Sequence, residues 1–292
     1  MKKLFKSFPA LIQALALALG LLAGASGLGL AAGDETPGPA GKSSIADLKS
    51  RGKVRIAVYA DKQPFGYLDE SGANAGFDIV LAKRIVKDLL GDENAVEWVQ
   101  VEPATRVDYL ESDKVDIVFA NFTVTAARKE RVDFALPYMK VALGVVSPEN
   151  APIKEVSQLK GKKLIVIKGT TAETYFSDKH PEIDLVKFDE ISEAVQAFKD
   201  GRGVGLAQDN TFLFAWAATN PGYVVGIPSL GNLDTIAPAV RKGNTELLNW
   251  LNDELKALGK EKFVRQAYDK ALAPVYGHSV NPGDLVVEGG KL

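Results

Sequence analysis

Val115-Asp116-Ile117-Val118-Phe119-Ala120 runs directly into Asn121-Phe122-Thr123-Val124-Thr125-Ala126-Ala127-Arg128. The first six residues predict a buried parallel strand, and Thr123 and Thr125 can open a helix that carries Arg128 in its first turn. Such a strand end aims unpaired backbone N–H groups, a hydroxyl and a guanidinium at one spot, an arrangement that suits a small carboxylate. A plain helix cap by Thr125 with Arg128 in solvent satisfies the same residues. An arginine in a first turn opposes the helix dipole, however, and a carboxylate partner would remove that conflict.

Outward from this stretch the chain reads as two similar units. Upstream, a short helix Ile45–Lys49, a strand Val54–Val58, a loop with Asp61, Lys62, Gln63, Pro64 and Phe65, a helix Phe77–Leu90, a strand Val96–Val101 and a helix Thr105–Leu110 lead into Val115–Ala120. This β-α-β-α-β order is that of a layered α/β sheet. Downstream, Asp133–Tyr138 and Val141–Ser147 form an extended crossing. The pattern then restarts with helix-like Val156–Leu159, strand Lys163–Ile167, helix Thr171–Phe176, strand Leu185–Phe188, helix Ile191–Lys199 and strand Gly203–Gln208. A second crossing from Pro228 to Val240 precedes helices Thr245–Leu258 and Lys260–Ala271. Two lobes joined by two crossings predict a hinge around a cleft. The expected boundaries are 45–142 with 237–292 for lobe 1 and 143–236 for lobe 2.

The N-terminus has Lys2, Lys3 and Lys6, an apolar core from Ala10 to Leu22, and small residues at Ala23–Ala25 and Gly29–Ala31, which predicts a cleaved signal peptide over 1–33. Residues 34–44, with Pro37 and Pro39, read as a flexible leader. The chain has no cysteine, hence no lipid-anchoring lipobox and no disulfide. Export without an anchor points to a periplasm. The net charge of −2 becomes −5 without residues 1–33, a mildly acidic balance that disfavours nucleic acid.

Ligands in open α/β sheets sit at the carboxyl ends of strands. Lys168-Gly169-Thr170-Thr171-Ala172-Glu173 supplies a second hydroxyl-rich strand-to-helix loop, read as the counterpart of the Asn121–Arg128 loop, although a simple capped turn fits it equally. Asp209, after Gly203–Gln208, is a counter-ion for an ammonium or a turn cap. Phe65, Tyr67 and Phe122 are core aromatics or ligand contacts, and Lys62 is a solvated loop charge or a polar cleft contact. His180 and His278 are too scattered to form a metal set with other ligands, and no nucleophile elbow, phosphate loop or dinucleotide fingerprint occurs. Glu173 is the acid to consider as a general acid, against a helix-end charge.

These residues resemble extracellular solute-binding proteins of the polar amino-acid type, family 3, over about residues 45–275. Besides Asn121–Arg128, the likeness rests on Gly76-Phe77-Asp78, Lys114–Ile117, Val132-Asp133-Phe134 with Pro137-Tyr138, Leu159–Lys162 and Gly169–Thr171. Further words, Asp61–Tyr67, Ala120–Thr123, Leu136–Val145, Asp209–Thr211, Leu213–Trp216, Gly231-Asn232 and Ile236–Val240, are most similar to cysteine-binding members. The resemblance implies a type II two-lobed fold, each lobe a mainly parallel sheet flanked by helices. It implies a monomer that binds a free L-amino acid, first of all cysteine, without catalysis or cofactor, and that delivers it to an ABC permease in the inner membrane. Arg128 with the N–H groups of Thr123 and Thr171 would take the carboxylate; Asp209, the Thr123 hydroxyl and the Asn121 carbonyl would take the ammonium. Asn121, Phe122, Thr123, Arg128, Thr170, Thr171, Asp209, Phe65 and Lys62 form the expected ligand set. Lys62 stands where many members place an aromatic, and Asn121-Phe122 replaces the common Ala/Gly-Met or Gly-Ile pair. Other expectations remain open: another polar amino acid (cystine, aspartate or glutamate), a cyclohexadienyl dehydratase-like enzyme using Glu173, or a periplasmic sensor or adhesin.

Overall fold

The computed structural model describes residues 43–277 and 280–292. The predicted signal peptide, almost all of the leader, and His278 lie outside them.

The first unit comprises α1 (Ile45–Arg51), β1 (Val54–Val58), β2 (Asp61–Lys62), β3 (Gly66–Leu68), β4 (Asn74–Ala75), α2 (Phe77–Leu90), β5 (Val96–Gln100), α3 (Arg106–Glu111), β6 (Ile117–Val118), α4 (Ala126–Arg131) and β7 (Val132–Phe134). Next come β8 (Met139–Pro148), β9 (Lys163–Ile167), α5 (Thr171–Lys179), β10 (Asp184–Phe188), α6 (Ile191–Lys199), β11 (Gly205–Asp209), α7 (Asn210–Thr219) and β12 (Tyr223–Ile236). The chain ends with β13 (Ala239–Arg241), α8 (Thr245–Glu261), α9 (Phe263–Ala271), α10 (Ala273–Tyr276) and α11 (Pro282–Leu285).

Two five-stranded sheets result, in the orders β5-β1-β6-β13-β7 and β10-β9-β11-β8-β12. Both place the unit's first strand between its second and third, all three parallel, and then add two strands that each pair antiparallel with the strand before them in the sheet. The antiparallel strands are the crossings: β8 enters the second sheet, β12 leaves it, and the two pair with each other from Met139↔Ile236 onward. The sheet order corrects one expectation. The loop after β9 corresponds to the loop after β1, and the counterpart of the Asn121–Arg128 loop, after β6, is the Asp209 loop after β11.

Three local readings change. The loop after β1 folds into the small antiparallel sheet β2-β3-β4, which fixes Lys62. Only Ile117 and Val118 of the 115–120 stretch register as strand, although Asp116 and Phe119 continue the pairing through N–H bonds of 2.8 and 2.9 Å to Arg55 and Ala57. Helix α7 carries buried Phe212, Leu213, Ala215 and Trp216. Its sequence is apolar nearly all round and therefore shows no 3.6-residue stripe.

Apolar burial follows the strands and the inner helix faces. Ile56, Ala57 and Val58 of β1 and Ile79, Leu81, Ala82, Ile85 and Val86 of α2 are all buried. Gly52 and Gly91, both left-handed, stop α1 and α2. Buried Asp116 anchors the base of the first sheet, accepting from Arg51, from Arg55 Nη2 at 2.7 Å and from Ser43 at 2.7 Å. Among the described residues no helix is long and apolar enough to cross a membrane.

Candidate functional site

The carboxyl ends of β1 and β6 in one sheet face those of β9 and β11 in the other. At the end of β6, Asn121 adopts φ +45°, a conformation that asparagine tolerates better than most residues. Its N–H donates to Asp78 Oδ2 at 2.8 Å, and the Tyr138 hydroxyl donates to Asp78 Oδ1 at 2.9 Å. Asp78 is buried at the start of α2, and burial pushes its carboxyl up to about 7 despite those two donors. This network fixes the strand end from below.

Thr123 bridges Ile236 of β12 in a geometry that uses the flanking Phe122 carbonyl and Val124 N–H. The Thr123 N–H and hydroxyl have no partner among the described residues. Thr125 caps α4 by accepting from Arg128 N at 3.2 Å. The half-buried Arg128 side chain turns back into the cleft, donating from Nη1 to Thr123 O at 2.7 Å and from Nη2 to Gly169 O at 2.8 Å. Desolvation, then the neighbouring Arg106, pull Arg128 down to about 9, so it remains a cation at neutral pH. The solvated reading of Arg128 is therefore excluded.

Phe122 and Phe65 are buried. Two guanidinium groups lie over the Phe122 ring, Arg106 at 4.4 Å and Arg128 at 4.7 Å from its centroid. Arg106, the first residue of α3, is buried and donates to Pro103 O at 3.0 Å, Ala120 O at 3.0 Å and Gly169 O at 3.3 Å. Sequence reasoning missed it. Its position immediately beyond β5, at another strand end of the same sheet, was the available signal.

In the opposite sheet, Thr170 caps α5: its hydroxyl accepts from Glu173 N at 3.2 Å and donates to Ile167 O at 2.6 Å. That commits the hydroxyl to the helix and leaves the Thr171 N–H, in the first turn, without an acceptor among the described residues. Glu173 accepts from Gly169 N at 2.7 Å and pairs with Lys187 at 2.9 Å. Gly169 has φ +72°, and a Cβ on it would lie 2.4 Å from Ala104 Cα in the other lobe, so only glycine permits this approach.

Asp209 ends β11 at the N-terminus of α7 but its side chain accepts no capping hydrogen bond; Oδ2 instead accepts from Lys62 Nζ at 2.7 Å. The helix dipole favours an anion there. Its Oδ1 has no protein donor among the described residues. Lys62 is 2% exposed, not a solvated loop charge, and also donates to Asn121 Oδ1 at 2.7 Å. Burial lowers its pKa and Asp209 opposes that shift. Asp234 of β12 lies near enough to sense both Asp209 and Arg128, and its carboxyl is raised mainly by desolvation. Asp61 adds a further tie between the units by accepting from Ser192 N at 2.9 Å.

The cleft thus presents a guanidinium with unpaired N–H groups at one end and a carboxylate at the other, both desolvated. That charge pattern complements a small zwitterion. His180 is not part of it: just past the C-terminal end of α5 it pairs with Glu182 at 3.2 Å. Among the described residues no cluster of three His, Cys, Asp or Glu side chains could hold a metal ion.

Residues 54–273 match the family described as bacterial extracellular solute-binding proteins, family 3. The solute receptor for L-cysteine of Neisseria gonorrhoeae superposes with a TM-score of 0.83 at 53% identity, covering 84% of this chain and 100% of that one. The cysteine-binding protein of Campylobacter jejuni gives 0.83 at 50% identity, covering 84% and 98%. The glutamine-binding protein of a Bacillus subtilis ABC transporter is 33% identical over 92% of this chain and 97% of its own. The paired sheets, the double crossing and the profile match over 54–273 establish that this chain belongs to the family 3 bacterial extracellular solute-binding proteins.

Proposed function

We propose that this protein captures a free L-amino acid, L-cysteine in first place, in the periplasm and delivers it to an ABC permease of the inner membrane. The observation that carries this reading is the opposition of Arg128, with the free N–H groups of Thr123 and Thr171, to Asp209 across the cleft. A carboxylate on Arg128 and an ammonium on Asp209 Oδ1 each make a charge-assisted hydrogen bond, and together they engage Oδ1 and the Thr123 and Thr171 N–H groups, which have no other partner among the described residues. The two cysteine-binding relatives support the choice of amino acid.

Binding and closure are one event in this scheme. Arg128 and Thr123 belong to one lobe, Thr171 and Asp209 to the other, so a ligand holding both sets favours the closed form by its extra contacts there. The hinge lies where β8 and β12 pair, around 139–142 and 234–237, and the lobes 45–142 with 237–292 and 143–236 move as bodies about it. The chemistry is complete at binding; no bond of the ligand breaks. The protein acts as a monomer, one cleft per chain.

Titration calorimetry on ligand-stripped protein with the twenty amino acids and cystine is the direct test. Cysteine should give the tightest isotherm; silence toward all of them would sink the proposal.

A further inference from the structure

Lys62 is a buried cation that a clamp for the α-carboxylate and α-ammonium does not require. Its Nζ donates to Asp209 Oδ2 and Asn121 Oδ1, both at 2.7 Å. The same nitrogen lies 5.6, 5.9 and 5.8 Å from the ring centroids of Tyr59, Phe65 and Phe212. An ammonium has three N–H groups and accepts nothing. One N–H is therefore left without a protein acceptor among the described residues.

Asn121 adds to this. Because Lys62 can only donate, the asparagine must turn Oδ1 toward it, which leaves Nδ2 buried and without a partner. Two unsatisfied donors thus sit side by side, joined through one hydrogen bond and bordered by aromatic rings. Nearby acids do not balance them. Asp78 has both oxygens occupied by Asn121 N and the Tyr138 hydroxyl, and Asp209 is shared between Lys62 and the ligand ammonium. Arg106 and Arg128 add positive charge from the Phe122 side.

We propose that Lys62 is the specificity-determining residue of the cleft: with the Asn121 amide it donates to an acceptor atom on the ligand side chain, such as the sulfur of cysteine, and it repels cationic side chains. This rests on the amino-acid-binding reading and names the substrate class within it. A lysine that merely tied the lobes together through Asp209 would change affinity for every ligand by one factor. A specificity residue changes the ratios.

The experiment compares Lys62→Met, Lys62→Arg and wild type by calorimetry with cysteine, serine, alanine, lysine and arginine. In Lys62→Met the preference for cysteine over alanine should fall at least 10-fold. The affinity for arginine relative to cysteine should rise about 100-fold, the scale of one like-charge repulsion at this range. Lys62→Arg should keep the rejection of cations. Should Lys62→Met fail to fold by circular dichroism, Asn121→Asp retains Lys62 and adds a neutralising acid, and it should gain lysine and arginine binding. A uniform change across ligands in Lys62→Met, or unaltered ratios in Asn121→Asp, overturns the proposal. Wild-type protein that ignores every amino acid instead removes the functional reading on which it stands.

Discussion

Two of the contacts that join the sheets across the cleft each pair a first-strand loop of one sheet with the third-strand loop of the other. The loop after β6 meets the loop after β9 through Arg128 and the Gly169 carbonyl; the loop after β1 meets the loop after β11 through Lys62 and Asp209. The arrangement is symmetric but the materials are not. The first contact sets a side chain against backbone, with N–H groups of a helix start beside it. The second is an ion pair between two buried side chains. A carboxylate, with two oxygens and lone pairs to spare, suits the first, whereas an ammonium suits the second, where an acid has an oxygen left over.

The largest effects should come from breaking either contact at its charge. Arg128→Ala and Asp209→Ala should each weaken amino-acid binding by roughly 2–5 kcal/mol, because each leaves a buried ligand charge unpaired. Calorimetry measures this directly, and unchanged affinity in both would mean the site lies elsewhere. Asp209→Ala should also lower stability, since it strands buried Lys62.

Next is the backbone side of the first contact. Gly169→Ala forces a Cβ into Ala104 at a left-handed backbone position, with an expected cost of roughly 1–3 kcal/mol in ligand affinity. Small-angle scattering of the liganded variant should show a more open molecule than wild type. Equal compactness would mean that the Gly169–Ala104 approach does not control closure.

Asp78 tests the support beneath Asn121. Its carboxyl rises from 3.8 to about 7 on burial, so the folded protein binds a proton more tightly than the unfolded chain. Its contribution is fully present below the lower value and is lost as pH rises through the higher one. Urea midpoints measured from about pH 4 to pH 8 should carry that decline. Asp78→Asn should flatten it, and an unaltered slope would place the titration elsewhere.

The smallest effect belongs to Glu173. Its bonds to Gly169 N and Lys187 position the β9 loop, and glutamine keeps the acceptor, so Glu173→Gln should alter affinity by less than about 1 kcal/mol. Prephenate or arogenate turnover by wild type, lost in this variant, would instead establish catalysis.

The elements carrying regular periodicity were legible in advance. Val54–Val58, Phe77–Leu90, Lys163–Ile167 and Ile191–Lys199 begin and end where their β-branched runs, apolar spacing and glycine stops place them. The placement of Arg128, Thr123 and Asp209 at the cleft edge was legible because strand ends followed by polar residues mark the open edge of an α/β sheet. Helix α7 was not, because a stretch apolar on every side has no period to detect. Nor was the pairing of loops across the cleft, since the sheet order that decides it inserts the first strand between the second and third.

Lys62 and Arg106 show where local reading stops. A lysine in a polar loop is ordinarily solvated, and an arginine opening a short helix gives no period or motif. Their burial depends on carbonyls, rings and a carboxylate contributed by segments distant in the chain: Asp209 lies 147 residues from Lys62, and Gly169 lies 63 from Arg106. The sequence alone determined two α/β units, two crossings and the strand ends that carry the candidate site, because those follow from side-chain period and strand-end chemistry. Tertiary structure decided which loops face one another and which charges lose water. Desolvation and ion pairing are set by neighbours in space, whatever their separation along the chain.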